Sequence, residues 1–387
     1  MSRSVNRWLE DQAHVRERRG LVRRPVVRGL PGGVIDLAGN DYLGLAMDLR
    51  LAEAASDAAR RWGTGATSSR LVAGTTELHM ELEFALARLA GAEAGLVFSS
   101  GYLANLGVAT ALGGPGTLIV ADEQCHASLI DGFRLSRSET AFFRHNDVAD
   151  AARLLSGRTQ PRALIAVESI YSVDGDAAPL AELLAVAEEH DAVLLVDEAH
   201  SLGVAGGGAY QGHGAVAGTA LAGHPNVVQT ATLSKALGSQ GGAVLSSSLL
   251  REHLVNRARS FIFDTALAPP AAAAALAAVG IIQREPWRTA AVHRNAAALT
   301  RRLGSVRGGV AVERSAGAVQ SIPMPSADAA LAASQAARAA GVHVGCFRPP
   351  SVPDGVSRLR LTSRATLSST ELDHACAVLR GLLEETL

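Results

Sequence analysis

The sequence predicts an α/β protein built on a mainly parallel sheet, followed in the chain by a smaller α+β domain. Short apolar segments alternate with segments of helical spacing, and a chain of 387 residues exceeds the size of one simple core. Continuous apolar strands separated by helices are typical of a parallel sheet that is covered on both faces. We expect an N-terminal segment over 1–45, a large domain over 46–284 and a small C-terminal domain over 285–387.

The elements of this pattern follow one another along the chain. Leucines at helical spacing predict a helix before the first strand: Leu78, Leu82, Leu86 and Leu89. The predicted strands are 95–98, 117–120, 163–167, 192–196, 227–230 and 243–245. The alanine-rich segment 269–282 predicts a buried helix that is too short to span a bilayer. After Pro286 a long helix over 287–303 begins the small domain.

The composition excludes several classes of protein. Hydrophobic residues make up 48% and charged residues 19%, as in a packed globule rather than a disordered chain. The net charge of -1 gives no electrostatic signature of binding to nucleic acid or to an anionic membrane. Three widely spaced cysteines suggest neither a disulfide framework nor a zinc site. The N-terminus lacks the apolar core of a signal peptide, so we expect a cytoplasmic protein without a metal ion.

The amine of Lys235 is the strongest candidate for chemistry. It lies in a run of small residues, 230–242, which leaves the amine room to reach a bound molecule. A lysine becomes a nucleophile and a base when its surroundings lower its pKa and a carbonyl compound is held against it. The usual compound is pyridoxal phosphate, so we interpret Lys235 as a Schiff-base lysine. The alternative is a surface lysine in a glycine-rich loop.

Ionisable side chains follow separate strands at the points where the strands end. Asp122, Glu168 and Asp197 each end an apolar segment, and Lys235 follows a fourth segment after a short turn. Ligands of open parallel sheets bind beyond the carboxyl ends of the strands, so we expect these groups at one edge. A carboxylate such as Asp197 can keep a pyridinium nitrogen protonated, which makes the ring an electron sink. Asp122 and Asp197 taken singly also fit helix caps or turns.

Three further side chains lie close to these strand ends in the sequence. His200 is placed to reach the phenolic oxygen of such a cofactor or its substrate, and a metal site is disfavoured because no second histidine follows at helical spacing. His126 is a candidate to lie on the cofactor ring, with a helix-capping role as the alternative. Ser172 is a candidate for contact with the phenolic oxygen.

A phosphate group requires backbone amides, and the strand-turn-helix segment 99–105 offers them at a helix N-terminus. Gly101 permits close approach of a ligand at this turn. Thr232 and Ser234 are second candidates for the phosphate, with local turn hydrogen bonds as the alternative.

Several motifs in the right order make the chain similar to the α-oxoamine synthases, a family of fold-type-I pyridoxal phosphate enzymes. These motifs are 40–45, 69–75, 78–79, 99–102, 126–128, 197–200, 230–242, 347–353 and 358–361. The resemblance covers nearly the whole chain. It implies a PLP-dependent transferase with a seven-stranded sheet, and a homodimer whose active sites lie between the two subunits.

The resemblance also implies a role for each candidate residue. The implied catalytic residues are Lys235, His126, Asp197 and His200. The implied cofactor-binding residues are Gly101, Tyr102, His126, Glu168, Ser172, Asp197, His200, Thr232, Ser234, Lys235 and, from the neighbouring subunit, Thr265. The implied substrate-binding residues are Arg23, Asn40, His126, Ser351 and Arg360. Arg360 provides the planar fork that binds an amino-acid carboxylate, and Arg24 is an alternative to Arg23 for the acyl substrate.

The implied reaction is the condensation of L-alanine with a pimeloyl thioester, on coenzyme A or acyl carrier protein, with loss of carbon dioxide, as in biotin biosynthesis. The runs 69–75 and 263–269 favour this branch of the family over glycine C-acetyltransferase, 5-aminolevulinate synthase or serine palmitoyltransferase. A catalytically silent protein of the same fold is the alternative from another class. A nicotinamide dehydrogenase is disfavoured because no Gly-x-Gly-x-x-Gly follows the first strand.

Two residues depart from the family pattern. Ser201 stands where many relatives carry glycine, so either the backbone there accepts a side chain or the loop is shifted. Ser351 stands where threonine is common in the Arg-Pro-Pro turn; it keeps the hydroxyl group and loses a methyl group, and we expect a slight change in contacts with the acyl chain.

Overall fold

Two β-sheets organise the protein. The computed structural model describes residues 2–27, 29, 33–304, 312, 315–352 and 354–386. The strands are β1 (Ile35–Leu37), β2 (Ala94–Phe98), β3 (Thr117–Asp122), β4 (Glu139–Phe143), β5 (Arg162–Glu168), β6 (Ala192–Asp197), β7 (Val227–Thr232), β8 (Gly242–Ser246), β9 (Val319–Pro323), β10 (Val342–Phe347) and β11 (Arg358–Thr362). The large sheet has seven strands in the order β2-β8-β7-β6-β5-β3-β4, and the small sheet has four in the order β1-β10-β11-β9.

The large sheet is mainly parallel because its central strands are apolar on both faces. Strands β4, β3, β5, β6 and β7 pair in parallel, and β8 alone runs antiparallel to its neighbours β7 and β2. All residues of β3 and β7 are buried. The six strands predicted from the sequence are confirmed. The seventh, β4, lies at the sheet edge and has a single buried residue, Phe143, so it lacks the buried apolar run by which the others were recognised.

Helices cover both faces of the large sheet and one face of the small sheet. They are α1 (Arg3–Arg18), α2 (Leu49–Trp62), α3 (Glu77–Ala90), α4 (Gly101–Leu112), α5 (Ala127–Ser136), α6 (Val148–Ser156), α7 (Leu180–Glu189), α8 (Ser248–Arg257), α9 (Arg259–Ile262), α10 (Pro269–Arg284), α11 (Trp287–Leu303), α12 (Ala327–Ala339) and α13 (Ser369–Thr386), with a π turn at Arg70–Gly74 and a 3-10 turn at Gly208–Tyr210. The alanine-rich helix α10 begins with proline, which suits the first helical position, and its small side chains allow close packing against α2 and α3. It is buried, as the sequence predicts.

The N-terminal segment does not stand apart from the small sheet. Strand β1 adds to that sheet in parallel with β10, and Ile35 pairs with Val342. Helix α1, which the sequence analysis did not predict, has no buried residue. The exact domain divisions after residues 45 and 284 stay a prediction. Pro353, the last residue of one family motif, lies outside the described residues, and no helix in the described part of the chain is long and apolar enough to cross a membrane.

A buried ion pair fixes helix α3 against the edge of the large sheet. The carboxylate of Glu83 accepts hydrogen bonds from Arg70 Nη2 at 2.8 Å, Arg251 Nη2 at 3.1 Å and the backbone N–H of Val97 at 3.0 Å. The Arg70 and Glu83 side chains are 5% and 4% exposed, so each charge depends on the other for compensation. Removing one partner of such a pair leaves an uncompensated buried charge.

We therefore expect Glu83→Ala to destabilise the fold by about 3–5 kcal/mol, because the guanidinium of Arg70 stays buried without its carboxylate. Thermal unfolding measured by circular dichroism checks this as a drop of several degrees in the midpoint. Asp57→Ala is the matched control, because it breaks an Arg60 pair whose side chains are 70% and 64% exposed. Equal midpoints for the two variants would contradict the stabilising role of Glu83.

Candidate functional site

A cavity of about 710 Å³ opens at the carboxyl end of the parallel strands, between the large sheet and the small one. Its wall brings together many of the residues that the sequence predicts: Lys235, His126, His200, Ser172, Asn40, Ser351 and Arg360. These residues come from both sheets and from the N-terminal segment. The position agrees with the rule that open α/β sheets bind ligands beyond the carboxyl ends of their strands.

The loop between β7 and β8 presents Lys235 to this cavity. Gly238 closes the loop with a positive φ of 62°, and its amide donates to the carbonyl of Lys235 at 2.9 Å. A Cβ atom at residue 238 would lie 2.5 Å from the backbone nitrogen of Ala46, so only glycine fits this turn. Burial lowers the pKa of Lys235 to about 8, against the opposing charges of Asp197 and Glu168, while Arg360 lowers it further. Roughly a fifth of the amine is therefore neutral near physiological pH, far more than for an ordinary lysine, and the neutral form is the nucleophile.

Lys235 is the only lysine in the sequence. Every other basic residue among the 36 is an arginine, whose guanidinium stays protonated and forms no Schiff base under ordinary conditions. A count of lysines would have singled out this residue without any motif. It strengthens the interpretation of Lys235 as the amine that reacts with a carbonyl compound.

A chain of hydrogen bonds fixes the protonation of His200 beside this lysine. Asn40 Oδ1 accepts from Arg360 Nη1 at 3.1 Å and from the Tyr42 hydroxyl at 3.0 Å. Because the proton of Tyr42 is used in this way, its oxygen accepts from His200 Nδ1, which lies 2.7 Å away. The lone pair of His200 Nε2 then faces Lys235 Nζ at 2.8 Å. The sequence analysis placed His200 in the site but missed Tyr42, although the motif 40–45 contains it.

His200 stays neutral in this arrangement. Burial lowers its pKa well below the ordinary value, and the positive charges of Lys235 and Arg360 lower it further. A neutral imidazole whose Nε2 accepts a hydrogen bond orients the amine of Lys235 without placing a second positive charge beside it.

Asp197 and Glu168 lie side by side at the ends of β6 and β5, where the two residues are paired in register. Asp197 Oδ1 accepts the backbone N–H of Ala199 at 2.9 Å, and Oδ2 accepts Asn105 Nδ2 at 2.7 Å. Burial raises the pKa of Glu168 to about 8, and the adjacent Asp197 raises it as well, against the hydrogen bonds from Ser172. Asn105, a buried residue of α4, orients the carboxylate of Asp197. The sequence analysis did not predict this role, and the only signal for it was the position of Asn105 in the first turns of a helix.

His126 both caps a helix and faces the cavity. Its Nδ1 lies 2.7 Å from Ser128 Oγ and accepts the backbone N–H of Ser128 at 3.2 Å, which caps α5. Burial lowers its pKa, against the charge of Asp197. The capping role given as an alternative is therefore present, and contact with a cofactor ring stays a prediction.

The four predicted phosphate contacts meet at the N-terminus of α4. Gly101 begins the helix, and a Cβ atom there would lie 3.0 Å from Cβ and 3.2 Å from Oγ1 of Thr232. Thr232 Oγ1 lies 2.7 Å from Ser234 Oγ. Among the backbone hydrogen bonds of the described residues, none uses the N–H of Gly101 or Tyr102. Free amides, a helix N-terminus and two hydroxyl groups form a suitable anion site. The side chain of Tyr102 turns outward, where its hydroxyl donates to Asp131.

Arg360 is a buried cation that lines the same cavity. Its Nε donates to the carbonyl of Ser172 at 2.6 Å, and its guanidinium lies 5.2 Å from the ring centre of Phe347. Arg23 reaches the rim of the cavity, where Nη2 donates to Ser351 Oγ at 2.8 Å, whereas Arg24 has no side-chain hydrogen bond among the described residues. Arg360 and Ser351 both line the cavity, and their contacts with a substrate stay a prediction.

Several predicted residues are not among those that line this cavity: Gly101, Tyr102, Glu168, Asp197, Thr232, Ser234 and Thr265. Thr265 is exposed and forms an isolated β-bridge with Ser69, so a contact with phosphate requires another subunit. Asp122, expected at the same sheet edge, is fully buried and bonds His145 and the backbone of residues 124 and 146. It acts as a loop anchor, which was one of the alternatives for it.

Ser201 fits the backbone without distortion. It is absent from the residues with positive φ, and its hydroxyl donates to Glu198 Oε2 at 2.9 Å and lies 2.7 Å from Ser169 Oγ. The fully buried side chain is therefore satisfied, and of the two explanations offered for this departure the first applies.

The chain matches known proteins over almost its full length. Residues 32–379 match the family described as aminotransferase class I and II. An 8-amino-7-oxononanoate synthase of Mycolicibacterium gilvum (strain PYR-GCK) is 49% identical over 376 residues, which cover 97% of each protein. The protein of that name from Mycobacterium ulcerans (strain Agy99) is 50% identical over 97% of this chain and 94% of its own length.

Solved structures show the same fold. A serine palmitoyltransferase variant from S. paucimobilis with bound PLP-myriocin aldimine superposes with a TM-score of 0.89 at 30% identity, over 97% of this chain and 96% of that chain. An 8-amino-7-oxononanoate synthase from Francisella tularensis superposes with a TM-score of 0.74 at 24% identity, over 90% of this chain and 97% of that chain, which supports the fold alone.

The chain is thus a fold-type-I transferase dependent on pyridoxal phosphate, of the aminotransferase class I and II family. Within that family it belongs with the 8-amino-7-oxononanoate synthases.

The residues present fit pyridoxal phosphate. The cavity holds one amine of lowered pKa, a buried carboxylate stands at the neighbouring strand end, and the glycine turn against Thr232 leaves unpaired amides for a phosphate group. The described residues contain no cluster of three or more side chains that could hold a metal ion.

The pKa of Lys235 can be measured directly, because no other lysine reacts. We expect its modification by an amine-selective acylating reagent, followed by peptide mass spectrometry, to rise through about pH 8 in the cofactor-free protein. Asp197→Asn should shift this midpoint to lower pH, since the lost negative charge no longer favours the ammonium form. The exposed control Asp57→Asn should leave it unchanged. A midpoint near the ordinary lysine value of 10.5 would contradict the described environment.

Proposed function

We propose that this protein condenses L-alanine with a pimeloyl thioester, carried by coenzyme A or acyl carrier protein, to give 8-amino-7-oxononanoate, carbon dioxide and the free thiol carrier in biotin biosynthesis. The observation that carries the proposal is that Lys235 and Arg360 line the same cavity, in a chain about half identical to proteins named for this product. An amine and a fixed guanidinium suit a substrate with an α-carbon proton and a carboxylate.

In this proposal the chain binds the cofactor at the carboxyl ends of the strands of the large sheet and in the adjoining loops. The groups that hold it are Lys235, Asp197, Glu168, His126, His200, Ser172, Gly101, Tyr102, Thr232 and Ser234. Pyridoxal phosphate supplies an electron sink that stabilises negative charge at the α-carbon of a bound amino acid. Asp197, held by Asn105, maintains a positive charge on the ring nitrogen, and this electrostatic arrangement exists before substrate binds.

Lys235 moves the protons of the reaction. Its neutral amine, next to the acceptor Nε2 of His200, takes the proton from Cα of alanine and returns a proton to the same carbon after carbon dioxide leaves. A pKa near 8 suits both steps, because neither the amine nor the ammonium form is too stable. Tyr42 keeps His200 in the tautomer that has its proton on Nδ1, which leaves the lone pair of Nε2 facing Lys235.

Arg360 and Asn40 recognise alanine. The guanidinium uses Nε and Nη1 for Ser172 and Asn40, which fixes its plane, and its remaining N–H groups are directed to the substrate carboxylate. Ser351 contacts the acyl substrate at the rim, where its hydroxyl group accepts a hydrogen bond from Arg23. Arg24, which follows Arg23 in the sequence, is the alternative to Arg23 for this contact. We infer that the rim accepts the acyl chain because Ser351 lines the cavity and its hydroxyl group is held by Arg23.

Product identification tests this function. Purified protein with pyridoxal phosphate is incubated with L-alanine, glycine or L-serine and with pimeloyl, acetyl, succinyl or palmitoyl thioesters, and products are identified by mass spectrometry. We expect 8-amino-7-oxononanoate from alanine and the pimeloyl thioester, and a loss of at least about 10³-fold in rate for Lys235→Ala. A different product would overturn the substrate assignment, and activity retained in Lys235→Ala would overturn the role of the lysine.

A homodimer forms part of the proposal. Thr265 lies outside the cavity of its own chain, and exposed apolar side chains surround it: Leu71 at 52%, Val72 at 81% and Phe263 at 69% exposure. The bridge between Ser69 and Thr265 joins the two segments that carry them. Apolar side chains clustered at one surface favour a protein interface, which would bring Thr265 to the phosphate of the partner's site.

Sedimentation velocity tests the dimer. We expect the unmodified protein to sediment as a dimer, and Phe263→Glu to shift it toward monomer, because a charge then has to be buried at the interface. Leu249→Glu is the control, since Leu249 is 80% exposed and lies on another surface helix. A monomer for the unmodified protein, or equal dissociation of both variants, would contradict this interface.

The three cysteines bear on location. All are free, and two of them are buried. Free thiols persist in a reducing compartment, which supports the proposal that the protein works in the cytoplasm.

A further inference from the structure

A histidine outside the cavity joins the two loops that carry part of its wall. His145 follows β4, and its ring lies between two carboxylates: Nδ1 is 2.9 Å from Asp122 Oδ1, and Nε2 is 2.8 Å from Asp176 Oδ2. Only a doubly protonated imidazole donates from both nitrogens. We propose that His145 is a positioning residue that holds the loop 122–126, which carries His126, in fixed relation to the loop 171–176, which carries Ser172.

The first loop is anchored through Asp122 and residues 143–146, and Cys125 Sγ adds a contact with the carbonyl of Ala166 at 3.3 Å. The Asp122 carboxylate is fully buried and accepts the backbone N–H of Gln124 at 2.8 Å and that of Asn146 at 2.8 Å. Glu123 donates its backbone N–H to the carbonyl of Phe143 at 3.1 Å, and its side chain accepts the N–H of His145 at 3.2 Å. Since residues 123–127 form part of the cavity wall, the position of His126 depends on this anchor.

The second loop is anchored through Asp176. The carbonyl of Asp176 accepts the N–H of Tyr171 at 2.9 Å, which closes the loop that contains Ser172. Its carboxylate receives His145 and also Asn146 Nδ2 at 2.7 Å. The backbone N–H of Ser172 donates to Glu168 Oε2 at 3.0 Å. A displaced loop would therefore move both Ser172 and the carboxylate of Glu168.

The charges around His145 support an imidazolium. Burial opposes the charged form, but the hydrogen bonds to Asp122 and Asp176 outweigh it and raise the pKa of His145 to about 10. Tyr171 packs edge-on against the imidazole at 4.4 Å between ring centres, and burial raises the pKa of its phenol above the ordinary value, so it stays neutral. Glu123 is the remaining acidic group in contact, and it meets only the backbone N–H of His145. Without the cation, two carboxylates would face each other across the gap between the loops.

Hydrogen exchange measured by mass spectrometry tests this role on the full-length, cofactor-free protein. In His145→Gln, a single neutral amide group replaces the cation that donates to both carboxylates. Exchange of the backbone amide hydrogens in 122–126 and in 171–176 should therefore become at least about threefold faster. His253→Gln is the control, because His253 is exposed and its ring contacts only the carbonyl of Ala111. Unchanged exchange in both loops, or an equal increase throughout the large sheet, would overturn the proposal.

Asp176→Asn provides a second variant that keeps the size of the side chain. It removes the negative charge of residue 176 and leaves the carboxylate of Asp122 in contact with His145. We therefore expect faster amide exchange in 171–176 and little change in 122–126. Equal exchange in the two loops of this variant would show that His145 does not act separately on each of them.

The dependence of stability on pH identifies the charge of His145 as the cause. A pKa raised from 6.5 to about 10 stabilises the fold fully below about pH 6.5, and the contribution is lost as pH rises toward 10. The midpoint difference between the unmodified protein and His145→Gln should therefore be largest near pH 6 and shrink by pH 10. A difference that is constant with pH would show a packing effect alone and overturn the role of the cation.

Cofactor affinity is the last measurement, and it rests on the proposed function. Absorbance titration with pyridoxal phosphate should give a dissociation constant about tenfold higher for His145→Gln and an unchanged one for His253→Gln. An unchanged constant together with faster exchange would overturn the link from loop position to ligand binding. Failure of the unmodified protein to bind the cofactor at all would count against the proposed function, and the exchange and pH measurements would still test the loops.

Discussion

The burial of charge at one edge of the large sheet controls the chemistry of this protein. Parallel pairing of β5 with β6 fixes Glu168 beside Asp197, and the following strand delivers Lys235 to the same place. Desolvation disfavours the charged forms of Lys235 and Glu168, as the lowered pKa of the lysine and the raised pKa of the glutamate show. Together they partly compensate one another, so the site holds ionisable groups whose protonation is easily changed near neutral pH.

The architecture around this edge serves to enclose it. The small sheet supplies Arg360 from β11, and the N-terminal segment supplies Asn40 and Tyr42 after its strand β1 has joined the small sheet. A hydrogen-bonded route from Arg360 through Asn40, Tyr42 and His200 therefore connects the carboxylate side of the cavity to the amine of Lys235. Binding an anion at Arg360 affects the same set of hydrogen bonds that fixes the lysine's neighbour.

Sequence reasoning recovered the elements whose pattern is local and strong. The apolar runs of the central strands, the alanine-rich α10 and the Lys235 loop each have a clear signature over a few residues, and the motif order identified the family. Strand β4 was missed because an edge strand needs no continuous apolar run.

Other parts of the site depend on contacts between distant segments, and no local pattern reports them. Tyr42 and His200 are 158 residues apart, and Asn105 and Asp197 are 92 residues apart. The pairing of β1 with β10 and the hydrogen bond between Asp122 and His145 are likewise contacts between segments that are distant in the sequence. Roles that need a bound ligand or a second subunit, such as those of His126 and Thr265, follow from resemblance and geometry together.

The solitary lysine has a consequence for anyone who handles the protein. Aldehydes, activated esters and amine crosslinkers usually distribute over many surface lysines and leave most catalytic sites intact. Here the only side-chain amine is the one at the base of the cavity, so such reagents become active-site labels. Immobilisation or dye conjugation through lysine would inactivate the protein, and a label that spares activity has to be attached elsewhere, such as at the α-amino group.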